Sequence, residues 1–286
     1  VRERIAQEVS RTRDISVTGE NVVVTPGAKP IMFFAMLALV DEGDEVLYPN
    51  PGFPIYESMI RFVGGVPVPM KLYESRDFNL DVDEVARQIT PSTKLMIINS
   101  PNNPCGSVIP EADLKAIAQI ANEADAVVLS DEIYGRIMYG EVAHASIASI
   151  DGMQDNTIIL DGFSKTYAMT GWRIGYGVMP IELVEPISRL VTNSVSCTAS
   201  FTQMAVMEAM NHAFKYANRY GYPDGNILQA IAEHHGVEPD NVLLGAGLVN
   251  FADVFRAIHD IGYDGPYTFE TQRGSDPVRT AAYNMA

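Results

Sequence analysis

The sequence is short of basic residues. Its 20 lysines and arginines face 36 aspartates and glutamates, so the 286 residues carry a formal charge of 20 − 36 = −16. A chain with that balance has no excess of cations to displace counterions from a nucleic-acid backbone, and no nucleic-acid partner is expected. An anionic ligand would need a local cationic pocket. Cysteine is scarce too: Cys105 and Cys197 are the two. They build neither a disulfide framework nor a cysteine metal site, and they favour a reducing compartment. Long apolar runs are also missing. The longest, Pro30 to Val40 (PIMFFAMLALV), is about half of the roughly 20 residues that a membrane-spanning helix needs. The opening VRERIAQEVSRTR is charged and helical in pattern, with no apolar signal core behind it. The expectation is a soluble cytoplasmic protein with no membrane partner.

What is present is ordinary globular composition, 47% hydrophobic and 20% charged, in a length that suits one large domain or two modest ones. From Val1 to about Met210, short β-branched runs alternate with amphipathic stretches. Strands are predicted at Val22–Thr25, Glu45–Tyr48, Val66–Pro69, Leu95–Asn99, Ala126–Ser130, Thr157–Asp161 and Arg173–Val178. Helices are predicted at Lys29–Val40, Ile55–Phe62, Val82–Gln88, Glu111–Asn122 and Ile181–Val191. This alternation predicts an α/β fold, a mostly parallel sheet with helices on both faces, whose ligands bind at the carboxyl ends of the strands. After Met210 the composition changes. Residues 211–247 include ILQAIAEHHGVEPDNVLLGAG, a degenerate second copy of the opening RERIAQEVSRTRDISVTGENVVVTPGA. Residues 248–286 change style again, reading as a helix, a Tyr263-Asp264-Gly265 turn and a strand. The expected domains are therefore 1–210, 211–247 and 248–286.

The chemistry-bearing residues follow strand candidates. Lys165, in DGFSKTYAMTGWRIGY, sits after a strand and a small-residue turn, where a lysine can lie in a cleft, desolvated enough to act as an amine nucleophile. Arg173 can reach it if the chain doubles back at Thr170-Gly171, and the two cations make the pocket that an acidic protein needs for an anion. A Walker phosphate loop is excluded, because Ser164 replaces the glycine before Lys165. In VVLSDEIYGRIMY, Asp131 is a strand-end carboxylate that needs a partner, or else the N-cap of a helix starting at Glu132; Tyr134 follows. In NSPNNPCG, Asn103 stands between prolines, either as turn chemistry or as a positioned donor. TPGAK places Gly27, Ala28 and Lys29 at a turn into a helix, where backbone N–H groups can hold a phosphate. Phe53 and Tyr56 in YPNPGFPIYE are core packing or a stacking platform.

Taken in order, TPGAK, NPGFPIYE, NSPNNPCG, SDEIYG and SKTYAMTGWRIGY resemble the fold-type-I pyridoxal-phosphate-dependent aminotransferases of class I/II, over about residues 1–210. The resemblance implies the large domain of the PLP-dependent transferase fold, with an incomplete small domain. It also implies pyridoxal 5'-phosphate as cofactor, amino-group transfer between an amino acid and a 2-oxo acid, no metal, and a homodimer. Lys165 would join the cofactor aldehyde and Asp131 would pair with the pyridine nitrogen. Asn103 and Tyr134 would bond the ring oxygen, and Phe53 would stack on the ring. The Gly27–Ala28–Lys29 backbone, Ser164 and Arg173 would hold the phosphate.

Set against this family, the N-terminal arm and the small-domain arginine for the substrate carboxylate are expected to be missing from the sequence. A cofactor-binding but catalytically incomplete fragment is therefore a second reading, and a sugar-phosphate isomerase fragment a third. Gly162 stands where Ser or Thr is common, and Cys105 where threonine is usual. Tyr220–Gly247, with its Tyr222-Pro-Asp, resembles histidinol-phosphate aminotransferases. Leu248–Ala286 resembles the end of a sugar-phosphate isomerase/epimerase barrel, with Glu270 matching a metal-binding glutamate. A single βα piece closes no eight-stranded barrel, so residues after Met210 are expected to add no metal site and no cofactor contact.

Overall fold

The structure, a computed structural model, describes residues 1–139 and 142–212. Apart from the end of the last helix, the expected 211–247 repeat, the 248–286 fragment, Tyr222 and Glu270 lie outside the described residues. The elements run α1 (Arg2–Arg13), β1 (Val22–Thr25), α2 (Lys29–Leu39), β2 (Glu45–Asn50), α3 (Ile55–Phe62), β3 (Val66–Tyr73), β4 (Asn79–Leu80), α4 (Val82–Gln88) and β5 (Thr93–Asn99). They continue with α5 (Glu111–Glu123), β6 (Val127–Asp131), β7 (Thr157–Gly162), β8 (Gly175–Val178), α6 (Ile181–Val195) and α7 (Ser200–His212). The strands form one sheet in the order β1-β8-β7-β6-β5-β2-β3-β4. From β7 to β3 the neighbours are parallel, while β8 lies antiparallel between β7 and β1, and β4 is antiparallel to β3. This is the predicted α/β, mostly parallel architecture.

Both faces are covered because side chains alternate along each strand. Val46, Leu95, Ile97 and Leu129 pack on one face with Ile31, Phe34, Ile60 and Ile187 of α2, α3 and α6. Their strand neighbours Leu47, Met96, Ile98 and Val128 pack on the other with Val85, Leu114 and Ile117 of α4 and α5. At the β1 end, Val22, Ile159 and Tyr176 pack with Ile5 and Val9 of α1 and Val206 of α7.

Two elements escape the sequence pattern. β4 is too short for any periodic signal, and α7 follows the last predicted helix without a distinct apolar stripe. β8 also starts at Gly175 rather than Arg173, because Arg173 adopts a left-handed backbone (φ 50°) that cannot enter a ladder.

Register decides where the site lies. Thr25 pairs with Gly175, Gly175 with Gly162, Asp131 with Leu160, and Asn99 with Asp131. The carboxyl ends of β1, β5, β6 and β7 and the start of β8 therefore share one sheet edge. Close approach there requires a glycine at position 175: a Cβ would fall 2.3 Å from the Ala28 nitrogen. Gly175→Ala is expected to lose about 1–3 kcal/mol in urea unfolding, whereas Gly171→Ala, with nothing within 4 Å, should stay near neutral.

Candidate active site

β6 is apolar until its last two residues, and Asp131 ends it with its side chain turned into the protein, 5% exposed. The Tyr56 hydroxyl donates to Oδ2 at 2.7 Å, and the Ile133 N–H donates to Oδ1 at 3.3 Å. Among the described residues no cation pairs with this carboxylate. Burial pushes its pKa up to about 6 against the pull of those two bonds, and the nearby Asp161 and Glu132 charges add to the rise. No helix begins at Glu132; the chain turns instead. The N-cap alternative therefore fails, and Asp131 closes a short turn through Ile133.

Tyr56 is a partner that sequence reasoning missed. It is fully buried on the first turn of α3, rather than being a platform on a loop. Half-buried Phe53 stands edge-on to it at 5.9 Å, and the Lys29 Nζ lies 5.0 Å from the Phe53 ring centre.

On the neighbouring strand the Asn99 amide donates to the Asp131 carbonyl at 3.0 Å and accepts from the Asn103 N–H at 2.7 Å. Asn102 accepts from the Cys105 N–H at 3.1 Å. The turn chemistry of NSPNNPCG thus uses the side chains of Asn99 and Asn102, while Asn103 contributes its backbone.

The Lys165 loop leaves β7 through buried Phe163. It is closed by the Met169 N–H to the Phe163 carbonyl (3.1 Å), the Ala168 N–H to the Lys165 carbonyl (3.0 Å), and the Thr170 hydroxyl to the Ser164 carbonyl (2.9 Å). Lys165 is exposed rather than desolvated, and its Nζ stands 5.4 Å from the Tyr134 ring centre. A short 3-10 turn at Thr170–Trp172 brings the chain back to Arg173. The guanidinium there donates to the Thr170 carbonyl at 3.0 Å and to the Pro26 carbonyl at 3.5 Å.

Gly27 (φ +89°) faces the same guanidinium so closely that a Cβ would sit 2.2 Å from Nη2. The Thr25 hydroxyl donates to the Gly27 carbonyl at 2.7 Å and holds the turn in place, and α2 follows with Ala28 as its N-cap. The doubling back expected at Thr170-Gly171 therefore joins Arg173 to the TPGAK turn. The structure brings together Asp131 with Tyr56, Tyr56 with Phe53, Lys165 with Tyr134, and Arg173 with Gly27, all along one sheet edge.

Behind this row lies a buried ionic network. Glu132 points away from Asp131's side of β6. It accepts from Arg13 Nε (3.0 Å), Ser130 Oγ (3.0 Å) and Ser146 Oγ (2.6 Å), with His144 Nε2 also at 3.0 Å. Burial alone would raise its pKa, but His144, Arg13 and Ser146 outweigh that and hold it at about 2. Asp161 accepts from Arg13 Nη2 at 2.5 Å, Tyr176 Oη at 3.0 Å and the Gly162 N–H at 2.6 Å. Glu132 lies in SDEIYG and Asp161 heads DGFSKTY, but nothing in either motif singles these carboxylates out. The available signal was a pair of charged residues at the ends of otherwise apolar strands.

Open α/β sheets bind their ligands at the carboxyl ends of the strands, and that edge here gathers a buried carboxylate, a lysine and an arginine beside a glycine turn. The comparisons name the family. The sequence model described as "Aminotransferase class I and II" matches residues 1–237, and this chain belongs to that family. It is 40% identical to the aspartate aminotransferase of Pyrococcus abyssi over 211 residues, 73% of this chain and 54% of the relative. Against aromatic-amino-acid aminotransferase 2 of Thermococcus litoralis the identity is 38%, with the same coverage. Among solved structures, a double mutant of the Thermus thermophilus aspartate aminotransferase superposes with a TM-score of 0.71 at 38% identity, over 73% of this chain and 54% of that one. The N-succinyldiaminopimelate aminotransferase of Mycobacterium tuberculosis gives 0.74 at 32% identity, over 82% and 61%. The chain spans about half the length of the curated relatives it matches.

Proposed function

We propose that this chain carries the cofactor-binding part of an enzyme that moves an amino group between an amino acid and a 2-oxo acid with pyridoxal 5'-phosphate. One observation carries the reading: Asp131 is buried with no cation of its own among the described residues, on the same sheet edge as Lys165 and Arg173. The residues present fit the group. Asp131 offers a carboxylate to a cationic ring nitrogen. Arg173, the Gly27–Ala28–Lys29 backbone and Ser164 offer a cation, amides and a hydroxyl to a phosphate, in a cradle that a Cβ at position 27 would fill.

When bound, pyridoxal phosphate supplies an electron-poor ring that takes up the charge left when a substrate α-proton departs. Asp131 would keep a proton on a ring nitrogen. The Lys165 amine would hold the cofactor aldehyde and, when free, could move the proton at the substrate α-carbon. Phe53 would supply an apolar face for the ring, and Asn103 and Tyr134 would offer hydrogen bonds to its oxygen.

Pyridoxal phosphate added to the full chain should raise an absorbance near the visible edge, and an amino acid with a 2-oxo acid should then turn over; a chain that shows neither overturns the reading. Gly27→Ala adds a check on the cradle. It should weaken pyridoxal phosphate by about tenfold or more while changing pyridoxal, which lacks the phosphate, much less. Equal losses for the two ligands would remove Gly27 from the phosphate site.

The reading extends to a homodimer in the cytoplasm. α2 buries most of its apolar face within the fold. Phe62 (72% exposed), with Leu37 and Val66, still leaves apolar surface for a second copy. A clean monomer in sedimentation at micromolar concentration would overturn the dimer. Cys105 and exposed Cys197 are free thiols, which suits a reducing compartment.

A further inference from the structure

We propose that Arg13 is a positioning residue for Asp131 and Lys165, acting through the two carboxylates it joins. The proposal rests on the cofactor reading above. Arg13 is the last residue of α1, where the helix ends in a left-handed Asp14 and a cation is favoured by the carbonyl end. Its side chain is 2% exposed, and it bonds Glu132 at 3.0 Å and Asp161 at 2.5 Å. Glu132 directly follows Asp131. Asp161 begins the stretch Asp161-Gly162-Phe163-Ser164 that ends at Lys165, and it also takes the Gly162 N–H at 2.6 Å.

The two strands already touch at this level, since the Glu132 N–H donates to the Leu160 carbonyl at 2.9 Å. Two buried carboxylates on adjacent strand ends would repel in a medium of low dielectric. One guanidinium, planar and able to bond both at once, holds them at a fixed separation. Glu132, just past the end of β6, is bonded by Ser130, whose side chain lies on the opposite face from Asp131, so fixing Glu132 holds the backbone that directs Asp131. The same clamp sets where the Lys165 loop leaves β7. Arg13 touches neither cofactor nor substrate in this scheme; it sets the distance between the group that meets the ring nitrogen and the group that meets the aldehyde.

The test uses the full chain with pyridoxal phosphate. The readout is the rate at which saturating cofactor becomes trappable on Lys165 by borohydride, mapped by peptide analysis, beside cofactor affinity and near-UV circular dichroism. Arg13→Lys keeps the charge but not the planar fork. It should fold, yet attach cofactor at least about tenfold more slowly, because small misplacements at a reacting pair are costly. A merely structural arginine would leave the folded variant at the parent rate, and that result overturns the proposal.

If Arg13→Lys fails to fold, the neutral triple variant Arg13→Met/Glu132→Gln/Asp161→Asn replaces it, since buried ionic groups often tolerate joint neutral replacement. The triple variant should show the same slowing. A folded triple variant at the parent rate, or two variants that both fail to fold, would place the network in the fold rather than the site and overturn the claim. A parent chain that takes up no pyridoxal phosphate sinks the functional reading itself, and it does so before any variant is made.

Discussion

Replacing Lys165 with alanine is expected to leave the fold intact and to remove all borohydride-trappable cofactor. The side chain is exposed and its loop is held by backbone bonds from Ala168 and Met169 and by the Thr170 hydroxyl. Truncation should therefore change stability by less than about 0.5 kcal/mol. Cofactor should still bind through its phosphate and ring, because Arg173, Gly27 and Asp131 do not depend on the lysine. Amino transfer, where the parent performs it, should fall by between about 100-fold and 10,000-fold, the span that a positioned acid–base group supplies. In the parent, the label should map to Lys165. A label on Lys29 or Lys94 would end the assignment, and Lys29 is a fair rival because its Nζ already lies 5.0 Å from the Phe53 ring.

The edge that gathers the candidate site was legible because each motif directly follows an apolar strand. VVLSD announces the end of β6, and LMIIN the end of β5, and a parallel sheet brings such ends together. α3 and α4 begin and end where the pattern places them, because their apolar spacing and the Asp81 cap are local signals. What could not be read is what register and distance decide. Tyr56 meets Asp131 across 75 positions, and no local pattern marks a tyrosine as a carboxylate's donor. Arg13 looks like one more charge at the end of a charged helix until Glu132 and Asp161 are seen to converge on it across 119 and 148 positions. Lys165 was expected to be desolvated, yet the loop that presents it leaves it in solvent. Arg173 was expected in a strand, but doubling back to Gly27 takes a left-handed backbone there.

Asp131→Asn is expected to stabilise the ligand-free protein while disabling its chemistry. The carboxyl titrates at about 6 in the folded chain against an ordinary 3.8. Between those values the folded protein holds a proton that the unfolded chain has lost. Stability must therefore fall as pH rises through that window and stay reduced above it, by about 3 kcal/mol. Asparagine has the same shape and carries no charge to bury; its one oxygen can accept from the Ile133 N–H while the Tyr56 hydroxyl rotates to accept from its amide N–H. The variant should lose the decline between about pH 4 and 6 and unfold at higher urea than the parent at pH 8.

Glu132 has the opposite sign. Held at about 2, it withdraws stability only as pH falls below the ordinary carboxyl range, so the two effects separate on the pH axis. The functional result runs the other way. An amide cannot keep a proton on the ring nitrogen, and amino transfer should drop at least about a hundredfold, as when a preorganised charge is removed from a reacting site. Urea curves for parent and variant that share one pH profile would show that Asp131 is not the source of the decline. If they diverge as expected, the carboxylate that weakens the empty protein above pH 6 is the one that a cationic ring nitrogen would relieve. Added pyridoxal phosphate should then raise the parent's unfolding midpoint more at pH 8 than at pH 5, and the Asp131→Asn variant should not show that difference.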